Sequence, residues 1–291
     1  MTRTNQPQEG LVSTTKVVRL GASKRSAAEV MIDESPLLIR LHQGQQFIDF
    51  ATLMRTPGHD TALVRGFLFS ESIIERALDI EAIEFIEPNE VTVTLNQNVN
   101  FDFNSAPRTY TSYSSCGICG KSSIKQLALQ QRRKIDETEN WLSPELLIEA
   151  TLSLRHHQPL FEQTGSAHGA ALVTINDSIT TLACFEDVGR HNAVDKIIGD
   201  CALTNQNPHA ILVLSGRISF ELVQKAVMAG ICVIAAIGAP TSLALQAAKQ
   251  FNLTLVGFIK PEQCNVYCGD WRLTSGKVIE SPQQESNSET K

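Results

Sequence analysis

The sequence lacks the excess of positive charge that is typical of nucleic-acid-binding proteins and the signal segment and dense cysteine pairs that are typical of small secreted ones. Its formal net charge is −6 over 291 residues and its pI is about 5.7, so the surface as a whole repels a phosphate backbone and we predict no nucleic-acid partner. Its seven cysteines are an odd number in no dense framework, which is typical of a reducing compartment. Residues Met1–Gly10 hold no apolar stretch behind a basic start, so neither a secretory signal nor a lipid anchor is expected. These absences predict a cytoplasmic protein.

An unbroken hydrophobic run of membrane length is also absent. Ala226–Ala248 carries no charged residue and is long enough to cross a bilayer. Gly230, Gly238 and Pro240 interrupt it, and the β-branched cluster at Ile231–Ile234 is typical of a buried strand between two helices. We predict no membrane association.

The first third of the chain is expected to be a small α+β domain, residues 29–104, behind a polar or disordered tail, residues 1–28. Pro36–Leu41 and Gln46–Leu53 flank Gly44 as the strands of a hairpin would.

A helix over Gly58–Ile74, with Asp60 as its cap, and strands within Glu81–Phe103 complete this domain. Residues 105–140 are expected to form a loop followed by a linker helix over Ile124–Arg133, because the loop part is rich in Ser, Thr, Tyr and Gly.

The remainder is predicted to be a larger C-terminal domain, residues 141–280, with a disordered tail over residues 281–291. Ser143 opens its first helix, and continuous apolar strands between helices indicate a sheet covered on both faces, so the fold class is α/β, or α+β overall. The expected elements are a hairpin of Ala171–Ile175 and Ile179–Phe185, helix Gly189–Asp200, strand Ala210–Leu214, helix Phe220–Ala229, strand Ile231–Ala236, helix Ser242–Phe251 and strand Leu253–Phe258.

Two cysteines in the loop could form a reactive pair. Cys116 and Cys119 make a CxxC flanked by Gly117 and Gly120, with Lys121 and a predicted helix start directly after. A nearby cation and a helix N-terminus favour thiolate over thiol, so this segment predicts a nucleophile that could carry persulfide sulfur.

A structural zinc site is the main alternative for this pair. Cys264 and Cys268 supply a second close pair, and four thiolates would complete a tetrahedral site. No thioredoxin-like context surrounds the CxxC. Cys184, Cys201 and Cys232 fall in or beside apolar elements and are expected to be buried small hydrophobes.

A second group of polar residues, Phe185–Lys196, spans the end of a strand and the first turns of a helix. It contains Arg190 and His191, and the loops Thr164–Gly169, with His168, and Ser215–Arg217 also adjoin strands. Strand ends that face helix starts bind ligands in α/β proteins, so the three loops could line one pocket. The alternative is a capped helix with a solvated charged face.

A third stretch leaves the last predicted strand and could place backbone donors and a lysine against a phosphate or guanine. It consists of Phe258, Ile259, Lys260, Pro261, Glu262 and Gln263. A solvated lysine at a strand end is the simpler interpretation of Lys260.

Taken together, the segments Ser115–Gly120, Glu186–Lys196, Ser215–Arg217 and Ala239–Ser242 resemble, in order, the FdhD family of formate dehydrogenase accessory proteins. The resemblance spans roughly residues 30 to 275, and EDVGRHNAVDK is its most specific part. It implies a sulfurtransferase-type sulfur carrier that takes persulfide sulfur from a cysteine desulfurase and passes it to the molybdenum cofactor, bis-molybdopterin guanine dinucleotide, for the formate dehydrogenase catalytic subunit. It also implies a cytidine-deaminase-like C-terminal domain and a homodimer.

Carried over by position, the resemblance implies that Cys116 bears the persulfide and that Cys119 is its partner. It implies guanine-nucleotide binding, as of GDP, at Phe258–Gln263 and no metal of the protein's own. Glu262 and Gln263 replace a more basic end of that stretch, so Lys260 or Arg217 would have to supply charge toward the pyrophosphate. Zinc-dependent deamination is excluded because the chain has no His-x-Glu segment before a Pro-Cys-x-x-Cys.

Overall fold

The computed structural model describes residues 11–21, 23–103, 110–111, 124–125, 127–128, 134–175, 178–202, 207 and 209–274. These residues form three β-sheets and six α-helices, and the predicted mixed α/β fold class is confirmed. Cys116, Cys119, residues 126 and 129–133 of the predicted linker helix and the tail beyond Thr274 lie outside the described residues.

The first two strands make a separate hairpin. Strand β1, Val12–Arg19, pairs antiparallel with β2, Arg25–Ile32. This corrects the polar tail expected over residues 1–28. The larger apolar residues of these strands stand side by side, as in Val17–Val18 and Val30–Ile32, without the period-2 alternation that signals a strand.

The second sheet has five strands in the order β5-β6-β3-β4-β7. The predicted hairpin around Gly44 is confirmed, since β3 and β4 pair antiparallel across it and its φ is +63°. The strands are β3 Ser35–Gln43, β4 Gln46–Arg55, β5 Ile80–Glu87, β6 Glu90–Leu95 and β7 Tyr110–Thr111.

Helix α1, Asp60–Ser70, follows β4. The prediction that Asp60 caps it is wrong: the N-cap is His59, in a left-handed conformation without a side-chain cap. The carboxylate of Asp60 instead accepts two hydrogen bonds, each 3.0 Å, from the buried guanidinium of Arg55. A buried cation competes for a carboxylate more strongly than backbone amides do.

The third sheet has six strands in the order β13-β12-β11-β10-β8-β9. Strands β8, β10 and β11 are buried almost throughout, which confirms a sheet covered on both faces. The strands are β8 His168–Ile175, β9 Ile179–Asp187, β10 Ala210–Leu214, β11 Val233–Ala236, β12 Thr254–Lys260 and β13 Gln263–Cys268. Strand β13 was not predicted.

Five helices accompany this sheet. Ser143 caps the first of them by accepting from the backbone N–H of Leu146 at 3.2 Å, as predicted. The helices are α2 Pro144–Ser153, α3 Pro159–Thr164, α4 Arg190–Ile197, α5 Phe220–Ala229 and α6 Ser242–Gln250. The charge-free stretch Ala226–Ala248 folds as the end of α5, strand β11 and most of α6. Within the described residues no helix is long and apolar enough to span a membrane.

Helices α1 and α4 pack backbone against backbone. A Cβ on Gly66 would lie 1.9 Å from the carbonyl oxygen of Asp195, and one on Gly199 would lie 1.9 Å from that of Ala62. Only glycine permits so close an approach. This contact holds α1, which follows strand β4 of the five-stranded sheet, against α4, which follows strand β9 of the six-stranded sheet.

Candidate functional site

The sheet topology brings the predicted loops to one edge. Strands β10, β11 and β12 run parallel, and β8 runs antiparallel to β10. The start of β8 therefore lies beside the ends of the three parallel strands, and the end of β9 lies next to it. We call this edge the loop edge; it holds His168, Ser215–Arg217, Ile237–Pro240, Phe258–Lys260 and, directly after β9, Arg190 and His191.

Glycines let these loops pack closely at the loop edge. A Cβ on Gly238 would lie 2.6 Å from the carbonyl oxygen of Gly216, and one on Gly257 would lie 2.8 Å from that of Gly238. The backbone N–H of Phe258 also donates to the Gly238 carbonyl at 3.2 Å. The loop with Arg217 is thereby connected stepwise to the end of β12.

His168 occupies the first position of β8, at the loop edge. Burial lowers its pKa, and the positive charges of Arg190, His191 and Arg217 lower it further, against an opposing contribution from Asp187. A Cβ on Gly216 would lie 3.3 Å from His168 Nδ1, so the loop with Arg217 packs against His168. The contributions of Arg190 and His191 to the His168 pKa agree with their position directly after β9, whose last residue pairs with His168. A neutral imidazole beside two guanidinium groups suits an edge that receives an anion.

Arg190 and His191 begin helix α4. Arg190 is half-buried, and its Nε is a buried donor without a hydrogen-bond partner among the described residues. His191 Nε2 lies 2.8 Å from a carboxylate oxygen of Glu221 and 3.2 Å from Ser219 Oγ. The pKa of Glu221 is lowered, chiefly by the hydrogen bond from His191. Glu221 therefore fixes the ring of His191, a role that sequence reasoning missed.

The rest of the same motif is structural. Asp187 is fully buried and forms an ion pair of 2.8 Å with Lys196. Asp187 also accepts from the backbone N–H of Thr56 at 3.2 Å and from Asn192 Nδ2 at 2.9 Å. Asn192 Nδ2 in turn donates to the carbonyl of Met54 at 2.7 Å. These bonds join the motif to the end of β4.

A second buried ion pair lies further along α4. Lys225 Nζ donates to both carboxylate oxygens of Asp195 at 2.7 and 2.9 Å, and Ser70 Oγ donates to the same group at 2.9 Å. Burial raises the pKa of the neighbouring Glu71. The residues of these two ion pairs, with Asn192, hold α4 against β4 and α1. We call this group the clamp; it consists of Asp187, Asn192, Asp195, Lys196 and Lys225.

Glu186, near the end of β9, stabilises a neighbouring helix. Its two carboxylate oxygens accept from the backbone N–H groups of Leu160 and Phe161 at 2.8 Å each. It therefore caps the N-terminus of α3 from a neighbouring strand.

The alternative of a capped helix with a solvated charged face is wrong, because Asp187, Asp195 and Lys196 are buried in ion pairs and no described side chain caps α4. The ligand-facing role stays a prediction for Arg190 and His191.

The predicted cofactor stretch divides between the loop edge and a turn. Phe258 is 46% exposed with φ +52°, while Ile259 is buried, so Ile259 can offer a ligand only its backbone. Lys260 ends β12 and pairs with Gln263, which begins β13. Pro261, Glu262 and Gln263 line an open groove of about 1210 Å³ beside α2.

The described cysteines are poor nucleophiles. Burial raises the pKa of Cys184 and of Cys201 to about 12 and that of Cys232 to about 11, so all three are thiols at neutral pH. Burial also raises the pKa of Cys264 and Cys268. The described residues hold no group of three or more His, Cys, Asp or Glu side chains placed to bind a metal, and the four-cysteine zinc site stays a hypothesis because Cys116 and Cys119 lie outside them.

Fold and site together define a class: a mixed α/β protein with a cationic loop edge at the carboxyl ends of its parallel strands. The FdhD/NarQ family model matches residues 32–274. This chain therefore belongs to the FdhD/NarQ family, and the resemblance drawn from its motifs is confirmed.

Relatives and a solved structure agree with this membership. The chain is 40% identical over 272 residues to a sulfur carrier protein FdhD of Streptomyces avermitilis, covering 89% of this chain and 94% of the relative. It is 38% identical to one of Sulfolobus acidocaldarius, covering 84% and 91%. A provisionally assigned formate dehydrogenase accessory protein from Desulfotalea psychrophila superposes with a TM-score of 0.69 at 25% identity, covering 90% of this chain and 99% of that one.

Proposed function

We propose that this chain is a sulfur carrier that accepts persulfide sulfur on Cys116 from a cysteine desulfurase and passes it to bis-molybdopterin guanine dinucleotide for a formate dehydrogenase. The observation that carries the proposal is the convergence of His168, Arg190, His191 and Arg217 at the loop edge, with a buried donor of Arg190 left unpaired among the described residues. Family membership supports the sulfur-carrying step.

In the loading step, the Cys116 thiolate attacks the terminal sulfur of the donor's cysteine persulfide. The new S–S bond forms on Cys116, the donor's S–S bond breaks, and the donor cysteine leaves as a thiolate. No external oxidant or reductant is consumed. The described cysteines are weaker competitors, because burial raises the pKa of each of them.

The chain direction supports delivery toward the loop edge. Strand β7 pairs in parallel with β4, Tyr110 with Ala51 and Thr111 with Thr52. The chain thus leaves Thr111 in the direction in which β4 reaches Met54, which is bonded to Asn192 of the clamp. Cys116 follows Thr111 by five residues, and an extended chain of that length reaches at most about 18 Å.

The loop edge suits the guanine dinucleotide part of the proposed substrate. Arg190 and Arg217 could bind its pyrophosphate, since guanidinium groups pair with phosphate in bidentate geometry. The exposed Phe258 and the backbone of Phe258–Lys260 could contact the guanine. Arg217 and Lys260 would supply charge that Glu262 and Gln263 do not.

Intact-protein mass spectrometry after incubation with a cysteine desulfurase and cysteine tests the loading step. We expect one added sulfur atom on the wild-type chain and on Cys264→Ser, and none on Cys116→Ser. Stoichiometric zinc that is lost equally from Cys116→Ser and Cys264→Ser would instead establish the structural zinc site. Restored formate dehydrogenase activity by Cys116→Ala in a deletion strain would leave only a chaperone role.

A further inference from the structure

The hairpin β1–β2 is positively charged in a chain that is acidic as a whole. It carries Lys16, Arg19, Lys24 and Arg25 against one acidic residue, Glu29, whereas the formal net charge of the chain is −6. All four cations are exposed. Arg19 forms an ion pair of 2.6 Å with Glu29, and no ion pair between described residues involves the other three. The hairpin therefore concentrates positive charge that the described carboxylates leave largely unpaired.

Two of these cations lie directly opposite each other. Arg19 is the last residue of β1, Arg25 is the first residue of β2, and the strand register pairs them. Residues paired in this way share one face of the hairpin, and like charges placed opposite each other are destabilising. Within the described chain, the Arg25 guanidinium makes one hydrogen bond, from Nε to Ser23 Oγ at 3.1 Å. A phosphate between the two guanidinium groups would remove the repulsion and match their planar sets of donors.

The face that carries both arginines is turned toward the rest of the chain. Side chains alternate between the two faces of a strand, so Arg19 shares its face with Val17. Arg25 likewise shares this face with Ala27. Val17 and Ala27 are partly buried, whereas residues on the opposite face of the same stretch, such as Lys16, are exposed. Because the main described contact of the hairpin with the remainder of the chain is between β2 and α3, the two arginines lie on the α3 side of the hairpin.

Both supports of the hairpin lie close to the loop edge. Helix α3 receives its N-terminal cap from Glu186, one residue before the end of β9. At the base of the hairpin, β2 ends three residues before Ser35, whose carbonyl accepts from Arg55 at 3.2 Å. The next residue, Thr56, donates its backbone N–H to Asp187, the last residue of β9, at 3.2 Å. The hairpin therefore stands beside the β9 end of the loop edge.

A guanine dinucleotide at the loop edge would extend toward the hairpin. The edge runs from β12 to β9 over four strand spacings, about 19 Å. In the proposed function the guanine contacts Phe258, at the end of β12. The pyrophosphate contacts Arg217, which follows β10, and Arg190, which follows β9. The phosphate farther from the guanine, which we call the outer phosphate, therefore lies toward β9 and the hairpin.

We propose that the hairpin β1–β2 is a strap that binds the outer phosphate through Arg19 and Arg25. The inference rests on the proposed function, because it takes the guanine dinucleotide at the loop edge as given. A two-stranded hairpin by itself is marginally stable in water, so little free energy opposes its movement toward a ligand. Its arginines would add to the charge that Glu262 and Gln263 do not supply.

Calorimetric titration with GDP and with GMP tests the strap, because GMP lacks the outer phosphate. In Arg25→Gln, GDP should bind about tenfold more weakly or worse, as expected for the loss of a charge-assisted hydrogen bond. GMP should bind within about twofold of its wild-type affinity. The substitution also removes the repulsion between the opposed arginines, so the hairpin should keep its fold. The matched control Lys16→Gln removes an exposed cation from the opposite face and should leave both affinities within about twofold.

Hydrogen exchange of the backbone amides gives a second measurement. GDP should slow exchange in β1 and β2 of the wild-type chain and should not do so in Arg25→Gln. Exchange that GDP leaves unchanged, an unchanged GDP affinity in Arg25→Gln, an equal loss for GDP and GMP, or an equal loss in Lys16→Gln would overturn the strap and leave the guanine site intact. A wild-type chain that binds no GDP would overturn the guanine site and the strap with it.

Discussion

The clamp and the loop edge both take residues from the twelve-residue motif Phe185–Lys196, yet the two regions differ in what surrounds each charge. In the clamp, Asp187 meets Lys196 and Asp195 meets Lys225 in buried ion pairs. At the loop edge, Arg190 keeps a donor that is unpaired among the described residues, and Arg217 is exposed. Charges that are buried and paired hold structure, while those left unpaired beside solvent are free for a ligand. Substitutions in the two regions should therefore separate stability from binding.

The largest expected effect is in the clamp. Lys225→Met leaves the carboxylate of Asp195 buried without its cation, and removing one partner of a buried pair costs about 3–5 kcal/mol. Urea unfolding followed by circular dichroism measures this loss. The control Lys249→Met, on the exposed side of α6, should change the free energy of unfolding by less than about 0.5 kcal/mol.

The next effect is at the loop edge. Arg217→Gln removes an exposed cation that we expect to contact pyrophosphate, and a charge-assisted hydrogen bond contributes about 1.5–3 kcal/mol, so GDP should bind roughly ten- to a hundredfold more weakly. Calorimetric titration measures the affinity. Arg190→Gln should behave alike, and unchanged affinity in either variant would remove that arginine from the site.

A smaller effect concerns pH. The pKa of His168 is lowered by burial and by Arg190, His191 and Arg217, so its ring is neutral at neutral pH and gains charge only as the pH falls below about 6.5. Added positive charge strengthens anion binding, and GDP affinity should rise about threefold as His168 becomes protonated. The variant His168→Asn, measured over the same pH range, corrects for titration of the nucleotide's own phosphate. If its GDP affinity follows the same pH profile as that of the wild-type chain, His168 does not cause the pH dependence.

The smallest effect is expected at Glu186. Glu186→Gln leaves one acceptor oxygen for the two backbone N–H groups at the N-terminus of α3. Losing a whole cap costs about 1 kcal/mol, so this variant should lose only about 0.5 kcal/mol of stability in urea unfolding. GDP affinity should not change, because Glu186 faces α3. A loss of affinity in this variant without a loss of stability would place Glu186 at the loop edge and break the division of the motif.

Patterns of hydrophobicity predicted most of the third sheet, because its strands are continuous apolar runs such as Ala210–Leu214. They missed β1 and β2, whose larger apolar residues stand side by side instead of alternating. They also missed β13, whose Cys264 and Cys268 were interpreted as possible metal ligands. Asp60 was misassigned because its partner, Arg55, becomes a neighbour only through the fold.

The motif shows the same limit within the candidate site. The residue types in the motif predicted a group of charged residues at the end of a strand. His168, Arg190, His191 and Arg217 do lie near one another at the loop edge. The sequence could not separate Asp187 and Lys196, which pair in the core, from Arg190, since all are charged residues a few positions apart. Glu221 and Lys225 were missed because their partners, His191 and Asp195, each lie 30 positions earlier in the chain.

The central claim is that sulfur loaded on Cys116 is delivered to a cofactor held at the loop edge. The most direct test uses radiolabelled sulfur. A cysteine desulfurase loads the label onto the wild-type chain or onto the Arg217→Gln variant, and the label that then reaches bis-molybdopterin guanine dinucleotide is measured. We predict that the variant loads Cys116 as well as the wild-type chain does and delivers about tenfold less label to the cofactor at limiting concentration. Equal delivery by the two proteins, or a loss of loading as large as the loss of delivery, would contradict the account.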